Sequence, residues 1–128
     1  MERWLAEKIR TFRDLKVWQK AKNLFIMSTI DIEHFPKRKP AQVIAMQLLR
    51  CMGSISANIA EGFGRKSQGE FGYHLGVAKG SATESQDWYI KCDEIEYLPE
   101  EIVNERMRDL EEVIRMLNSL ISKIGKES

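Results

Sequence analysis

The chain has little of what breaks or staples a fold. Three prolines and 8 glycines in 128 residues exclude a collagen-like or loop-rich chain. Two cysteines, Cys51 and Cys92, are too few for a disulfide scaffold, so a reduced, cytoplasmic chain is expected. No run of 18 apolar residues is present, and no membrane partner is expected. The start, Met1-Glu2-Arg3-Trp4-Leu5, carries an acid early and no apolar stretch, unlike a signal peptide. A net charge of +1 excludes a strongly cationic nucleic-acid binder acting as a monomer.

What is present suits one domain. Hydrophobic residues make up 43% and charged residues 30%, enough for a core and a solvated surface. The charge is unevenly spread. Residues 1–40 hold ten Lys/Arg and five Asp/Glu, net +5. Residues 41–80 are net +2, and residues 81–128, with six bases and twelve acids, are net −6. Solvated helix faces of varied sign explain this equally as well as a self-complementary surface between copies, with basic surface left for a polyanion.

Apolar spacing is helical nearly throughout. Asp14 is a plausible N-cap for a helix to about residue 33, with a seam of Trp18, Ala21, Phe25, Ser28 and Ile32. Pro36 closes it. Residues 2–12 carry a short amphipathic pattern (Trp4, Leu5, Ile9, Phe12), expected as a frayed extension. A second helix spans about residues 40–63. Ile44, Leu48, Cys51, Ile55 and Ile59 form one stripe; Ala45, Leu49, Met52, Ser56 and Phe63 form another. Its later half is rich in small residues, and Gly62 and Gly64 suit a stop.

The third helix opens at Ser67-Gln68-Gly69-Glu70, a capping-box pattern, and extends to about Tyr97. Gly76 and Gly80 weaken it, which predicts close packing there. The fourth starts at Pro99. Val103, Leu110, Leu117 and Ile124 repeat every seven residues, and Gly125 ends it. Four such helices with short connections predict an all-α, antiparallel up-down-up-down bundle over residues 12–125, with an extension at 1–11 and a tail at 126–128.

Candidate chemistry is sparse. A di-iron bundle needs Glu-x-x-His pairs, and none occurs. Glu70 and His74 lie four apart and suit a helix salt bridge or cap better than a ligand pair. Cys51 and Cys92 lie on apolar stripes and read as core. No catalytic constellation, cofactor site or metal site emerges. Residues 62–67 lack the phosphate-loop pattern, although Arg65 and Lys66 beside free helix amides could hold a phosphate. Asn58 and Glu61, with Ser81 and Glu84 on the third helix, read as a polar network fixing register or a subunit contact. Trp18 reads as core. Trp88 and Tyr89 are adjacent, so one of them leaves the main seam, toward an oligomer contact.

One set of strings is specific. The stretch from Phe12 to Ala21, Phe35-Pro36, the stretch from Gln47 to Arg50, and above all Ser54-Ile55-Ser56-Ala57-Asn58-Ile59-Ala60-Glu61-Gly62 follow one another along the chain. With Gly64-Arg65, Ser67, Glu70-Phe71, Gly80-Ser81 and Glu84, they resemble the four-helix-bundle proteins encoded in intervening sequences of bacterial 23S rRNA genes. The resemblance covers about residues 12–124. It implies a homopentameric ring and no enzymatic activity. It also implies kinship with accessory variability proteins of diversity-generating retroelements, which bind a reverse transcriptase and nucleic acid. The connector Lys37-Arg38-Lys39-Pro40 is more basic than the resemblance leads one to expect.

Two functional readings follow. The first is an oligomeric RNA- or DNA-binding bundle with contacts at Lys16, Lys20, Lys37, Arg38, Lys39, Arg65 and Lys66. A ring would repeat each weak phosphate patch and gain avidity. The second is a protein-interaction scaffold, such as a ring that docks a reverse transcriptase.

Overall fold

The computed structural model describes residues 9–65 and 67–127. Of the expected extension over residues 1–11, residues 1–8, with Trp4 and Leu5, lie outside them, as does the candidate contact Lys66. Four α-helices follow one another, and no strand occurs among the described residues. They are α1 Lys16–Asp31, α2 Lys39–Phe63, α3 Gln68–Glu94 and α4 Glu100–Glu127. Each packs on its sequence neighbours, and α1 closes on α4. Arg50 meets Glu84 while Gly62 meets His74, so α2 and α3 are antiparallel. Lys20 meets Glu112 while Asp31 meets Arg106, so α1 and α4 are too. This is the up-down-up-down bundle.

The entry to α1 differs from expectation. Asp14 is not its N-cap. It ends a short 3-10 turn, Phe12–Asp14, where a capping box forms: Thr11 Oγ1 accepts from the Arg13 N–H, and the Asp14 carboxylate accepts from the Thr11 N–H at 3.0 Å. The expected box at α3 is half made. Ser67 Oγ accepts from the Glu70 N–H, but the Glu70 carboxylate takes the Ser67 hydroxyl rather than a backbone N–H.

The α1 seam is rotated from the one expected. Val17, Ala21, Leu24, Ser28 and Asp31 are buried, while Trp18, Phe25 and Ile32 are half-buried at its edge. Trp18 meets Phe12 edge-on at 5.0 Å. On α2, the buried set is Ala41, Leu48, Cys51, Met52, Ile55, Ile59 and Gly62. By length and composition this helix could cross a membrane; it is instead a bundle helix whose apolar surplus, Val43 and Met46, faces outward. On α4 the heptad stripe is buried as expected, at Val103, Leu110, Leu117 and Ile124. Gly125 does not end it, since the helix runs through Glu127.

The helix α3 stops short of Tyr97. Glu96 takes φ 60°, the left-handed position usually given to glycine, while the Tyr97 N–H reaches the Cys92 carbonyl at 2.9 Å. The Phe35 and Tyr97 rings then meet at 5.2 Å, which ties the first and third connections together at one end. The second connection, with Arg65, lies at the other.

Candidate nucleic-acid interface

The basic connector follows from local backbone chemistry. Pro36 and Pro40 bracket Lys37, Arg38 and Lys39, and all three cations are exposed. None forms an ion pair among the described residues. Arg38 is the N-cap of α2 and supplies no side-chain cap; the first turn carries no acid. Three positive charges therefore sit at the positive end of a helix dipole, an arrangement that opposes the helix and favours an anion. Beside Lys37 a cavity of about 270 Å³ opens, lined also by Glu33, Pro36 and Gln42, so one acid stands near this end of the connector.

The same end is not uniformly basic. The third connection frames a cavity of about 470 Å³ lined by His34, Asp93, Glu96 and Glu100. A polyanion approaching the connector would therefore be steered away from that corner.

The other candidate cations are less available. Lys20 Nζ lies 2.8 Å from Glu112 and 3.6 Å from Asp109, and the hydrogen bond to Glu112 raises its pKa. Arg65 is bridged to Glu61 at 2.6 Å, one helix turn back. Its hydrogen bond holds the Glu61 carboxyl below the usual carboxylate range. Lys16 is exposed on the first turn of α1. Lys37–Lys39 and Arg65 occupy opposite ends of the bundle, so the candidate contacts form no single patch.

The four polar positions singled out on α2 and α3 separate into two kinds. Asn58 Nδ2 donates to the Ser54 carbonyl at 2.8 Å and to Ser54 Oγ at 2.9 Å. The Ser81 hydroxyl also reaches Ser54 Oγ, at 3.0 Å, and His74 Nδ1 lies 3.3 Å from Asn58 Oδ1. Asn58 and Ser81 thus share one half-buried seam. Glu61 is exposed, and Glu84 accepts from Arg50 at 2.7 Å and from the Trp88 indole at 3.4 Å. His74 faces Asn58 and not Glu70, which corrects the expected Glu70–His74 pair.

One centre escaped the reading of the sequence. Asp31, Tyr89 and Arg106 meet where α1, α3 and α4 converge, 1%, 0% and 4% exposed. Asp31 Oδ2 accepts from the Tyr89 hydroxyl at 2.7 Å and from Arg106 Nε at 2.8 Å; Oδ1 accepts from Arg106 Nη2 at 3.0 Å. Burial works against the Arg106 charge, but the hydrogen bonds to Asp31 and Glu105, with the Asp31 charge, outweigh it and hold the guanidinium more firmly protonated than usual. Burial, then the Asp31 charge, pushes the Tyr89 phenol above its usual range. Arg106 Nη1 donates to the exposed Glu105 at 2.7 Å, so three guanidinium nitrogens are engaged, which suits a structural lock. A signal existed: Asp31 and Arg106 each fall on a seam position of spacing three and four. Of the adjacent aromatics, Tyr89 is buried in this centre and Trp88 is the one that leaves the seam, with Lys91 Nζ 4.6 Å from its ring centroid.

Comparison with known proteins agrees with this architecture. A solved structure from Bacteroides thetaiotaomicron VPI-5482, described as a protein of unknown function from the S23 ribosomal protein family, has 25% sequence identity and a TM-score of 0.77. The match covers 83% of this chain and 95% of that one. No curated protein matches. Residues 13–119, which take in all of α1, α2 and α3 and most of α4, match the family described as 23S rRNA-intervening sequence protein, and the chain belongs to that family.

Proposed function

We propose that this protein is a non-enzymatic, oligomeric bundle that binds RNA, or nucleic acid more generally, by its phosphates, in the bacterial cytoplasm. The observation that carries the reading is the connector: three exposed cations, with no ion pair among the described residues, at the positive end of α2, which has no side-chain cap. A duplex or a folded RNA presents phosphates to such a surface with no need for base readout. One site of three charges is weak. A cyclic assembly, most simply a pentamer, repeats it in every subunit, and avidity then raises affinity without new contacts. Lys16, which opens α1 at the opposite end of the bundle, would form a separate contact. Lys20 and Arg65, already neutralised by Glu112 and Glu61, contribute less than their charge alone implies.

The experiment is RNA affinity across a salt series for the parent and for Lys37→Gln, Arg38→Gln and Lys39→Gln combined. The triple variant should keep its fold and lose affinity uniformly across RNA sequences. For a single-stranded target its salt slope should flatten by about 2 for each site engaged. An unchanged slope, or no binding by the parent at low salt, would remove this reading. Salt-tolerant capture of one protein partner would replace it with the scaffold role.

A further inference from the structure

The least explained surface is the outer side of α3. Glycines recur there once per turn, at Gly72, Gly76 and Gly80. A Cβ added at any of the three meets nothing within 4 Å, so the close packing expected at Gly76 and Gly80 does not occur within the chain. The glycines of α2 behave differently. A Cβ on Gly53 would stand 3.2 Å from the Phe25 ring, and one on Gly62 would stand 2.6 Å from His74 Cβ. Those two serve the bundle, whereas the three on α3 weaken their helix for no return inside it. Gly76 and Gly80 are exposed, and Tyr73 beside them is 69% exposed. The result is a shallow trough with an aromatic wall. The outer side of α4 is unlike it, with charges at Glu105, Arg108, Glu111 and Arg115.

A counterpart stands on α1. Ile26 and Ile30, 47% and 52% exposed, are four residues apart and form a ridge along one side of that helix. In the bundle α1 lies diagonally across from α3, so ridge and trough cannot meet within one chain. A ridge of spacing four fits a trough of spacing four, the commonest way for helices to interlock. Charge favours the same pairing. The helix α1 is net +2, with Lys16, Lys20 and Lys22 against Asp31. Along α3, Glu70, Glu84, Asp87, Asp93 and Glu94 outnumber Lys79 and Lys91.

We propose that the Ile26–Ile30 ridge of one copy docks in the Gly76–Gly80 trough of a second copy, against Tyr73. This rests on the oligomeric reading above and assigns its contact surfaces. The contact is heterologous: each copy offers one ridge and one trough, and the rotation between copies decides whether the chain of contacts closes into a ring. Acids along α3 make nucleic acid a poor occupant of the trough.

The test is mass in solution, by sedimentation and light scattering at micromolar concentration, with circular dichroism as the check on folding. Gly76→Gln with Gly80→Gln fills the trough; Ile26→Gln with Ile30→Gln removes the ridge. Both variants should stay helical, the trough variant at least as helical as the parent, and both should fall to the monomer mass of 14.9 kDa. Ser122→Gln, on the outer side of α4, should keep the parent's mass. An equimolar mixture of the two variants retains one intact ridge and one intact trough and should give a dimer of twice the monomer mass. A monomeric parent would overturn both the oligomeric reading and this assignment. An oligomeric parent whose variants keep its mass, or whose monomeric variants fail to pair when mixed, would overturn the assignment alone.

Discussion

Arg106 grips Asp31 with two nitrogens, Nε on Oδ2 at 2.8 Å and Nη2 on Oδ1 at 3.0 Å, in the interior of the bundle. The pair joins the last residue of α1 to the second turn of α4, and Tyr89 adds α3. A buried pair of this kind gives little net stability, because desolvation offsets attraction; it penalises any packing that separates the partners. Removing one partner is the costly step. Arg106→Met leaves the Asp31 charge buried without a cation, held only by the Tyr89 hydroxyl, and should lower unfolding free energy by about 3–5 kcal/mol. Asp31→Leu combined with Arg106→Met should cost much less than the two single changes together. Urea unfolding of all four proteins measures the coupling.

The α2–α3 seam gives a prediction of opposite signs. Gly62→Ala brings a methyl group to 2.6 Å from His74 Cβ and should destabilise by about 1–3 kcal/mol. Gly72→Ala, with nothing within 4 Å, should stabilise the monomeric fold by about 0.5–1 kcal/mol. Thermal and chemical melts read both. Asn58→Ala strips two hydrogen bonds from Ser54 and should cost about 1–3 kcal/mol in the same assay, whereas Glu61→Gln, at an exposed position, should change little.

Acid should weaken the fold through identifiable carboxylates. The Lys20 hydrogen bond holds Glu112 below the usual range, the Arg65 hydrogen bond does so for Glu61, and the Thr11 and Arg10 backbone N–H groups do so for Asp14. Each folded pKa is below its unfolded value. The stability each contributes is therefore present above the ordinary carboxylate pKa and is lost as pH falls through the lowered one. Glu112→Gln should flatten the acid limb of a plot of melting temperature against pH. An unchanged limb would show that the Lys20–Glu112 bridge is broken by solvent.

The two thiols should be inert in the folded protein. Burial is the main cause that pushes Cys92 up to about 11 and raises Cys51, and the Ser85 hydroxyl lies 3.2 Å from Cys51 Sγ. Thiolate is the reactive form, so neither should react quickly with a maleimide or a disulfide reagent at neutral pH. Labelling should follow the rate of unfolding and accelerate with urea. Rapid labelling of native protein would place a cysteine at an accessible surface.

The sequence by itself determined the number of helices, their order and most of the core. Those depend on local chemistry: the seven-residue repeat of α4, proline at 36 and 40, and serine before α3 act within a turn or two of where they stand. The basic connector was legible for the same reason. Stops without a signal residue were not: α3 stops at Glu94 because Glu96, two residues on, takes a left-handed conformation, and nothing in a glutamate announces that. Tertiary structure also decided which of two adjacent stripes on α1 turns inward. Trp18 and Phe25 are the more apolar choice, yet Val17, Leu24 and Asp31 are buried, because Asp31 must reach Arg106 and Tyr89 from other helices. Availability of charge was settled the same way. Lys20, Arg65 and Lys37 look alike in one dimension, but Glu112 approaches Lys20 from a distant helix, Glu61 sits one turn from Arg65, and Lys37, between two prolines, forms no ion pair among the described residues. Pairing depends on which side chains meet in space, and that distance is fixed only when the helices pack.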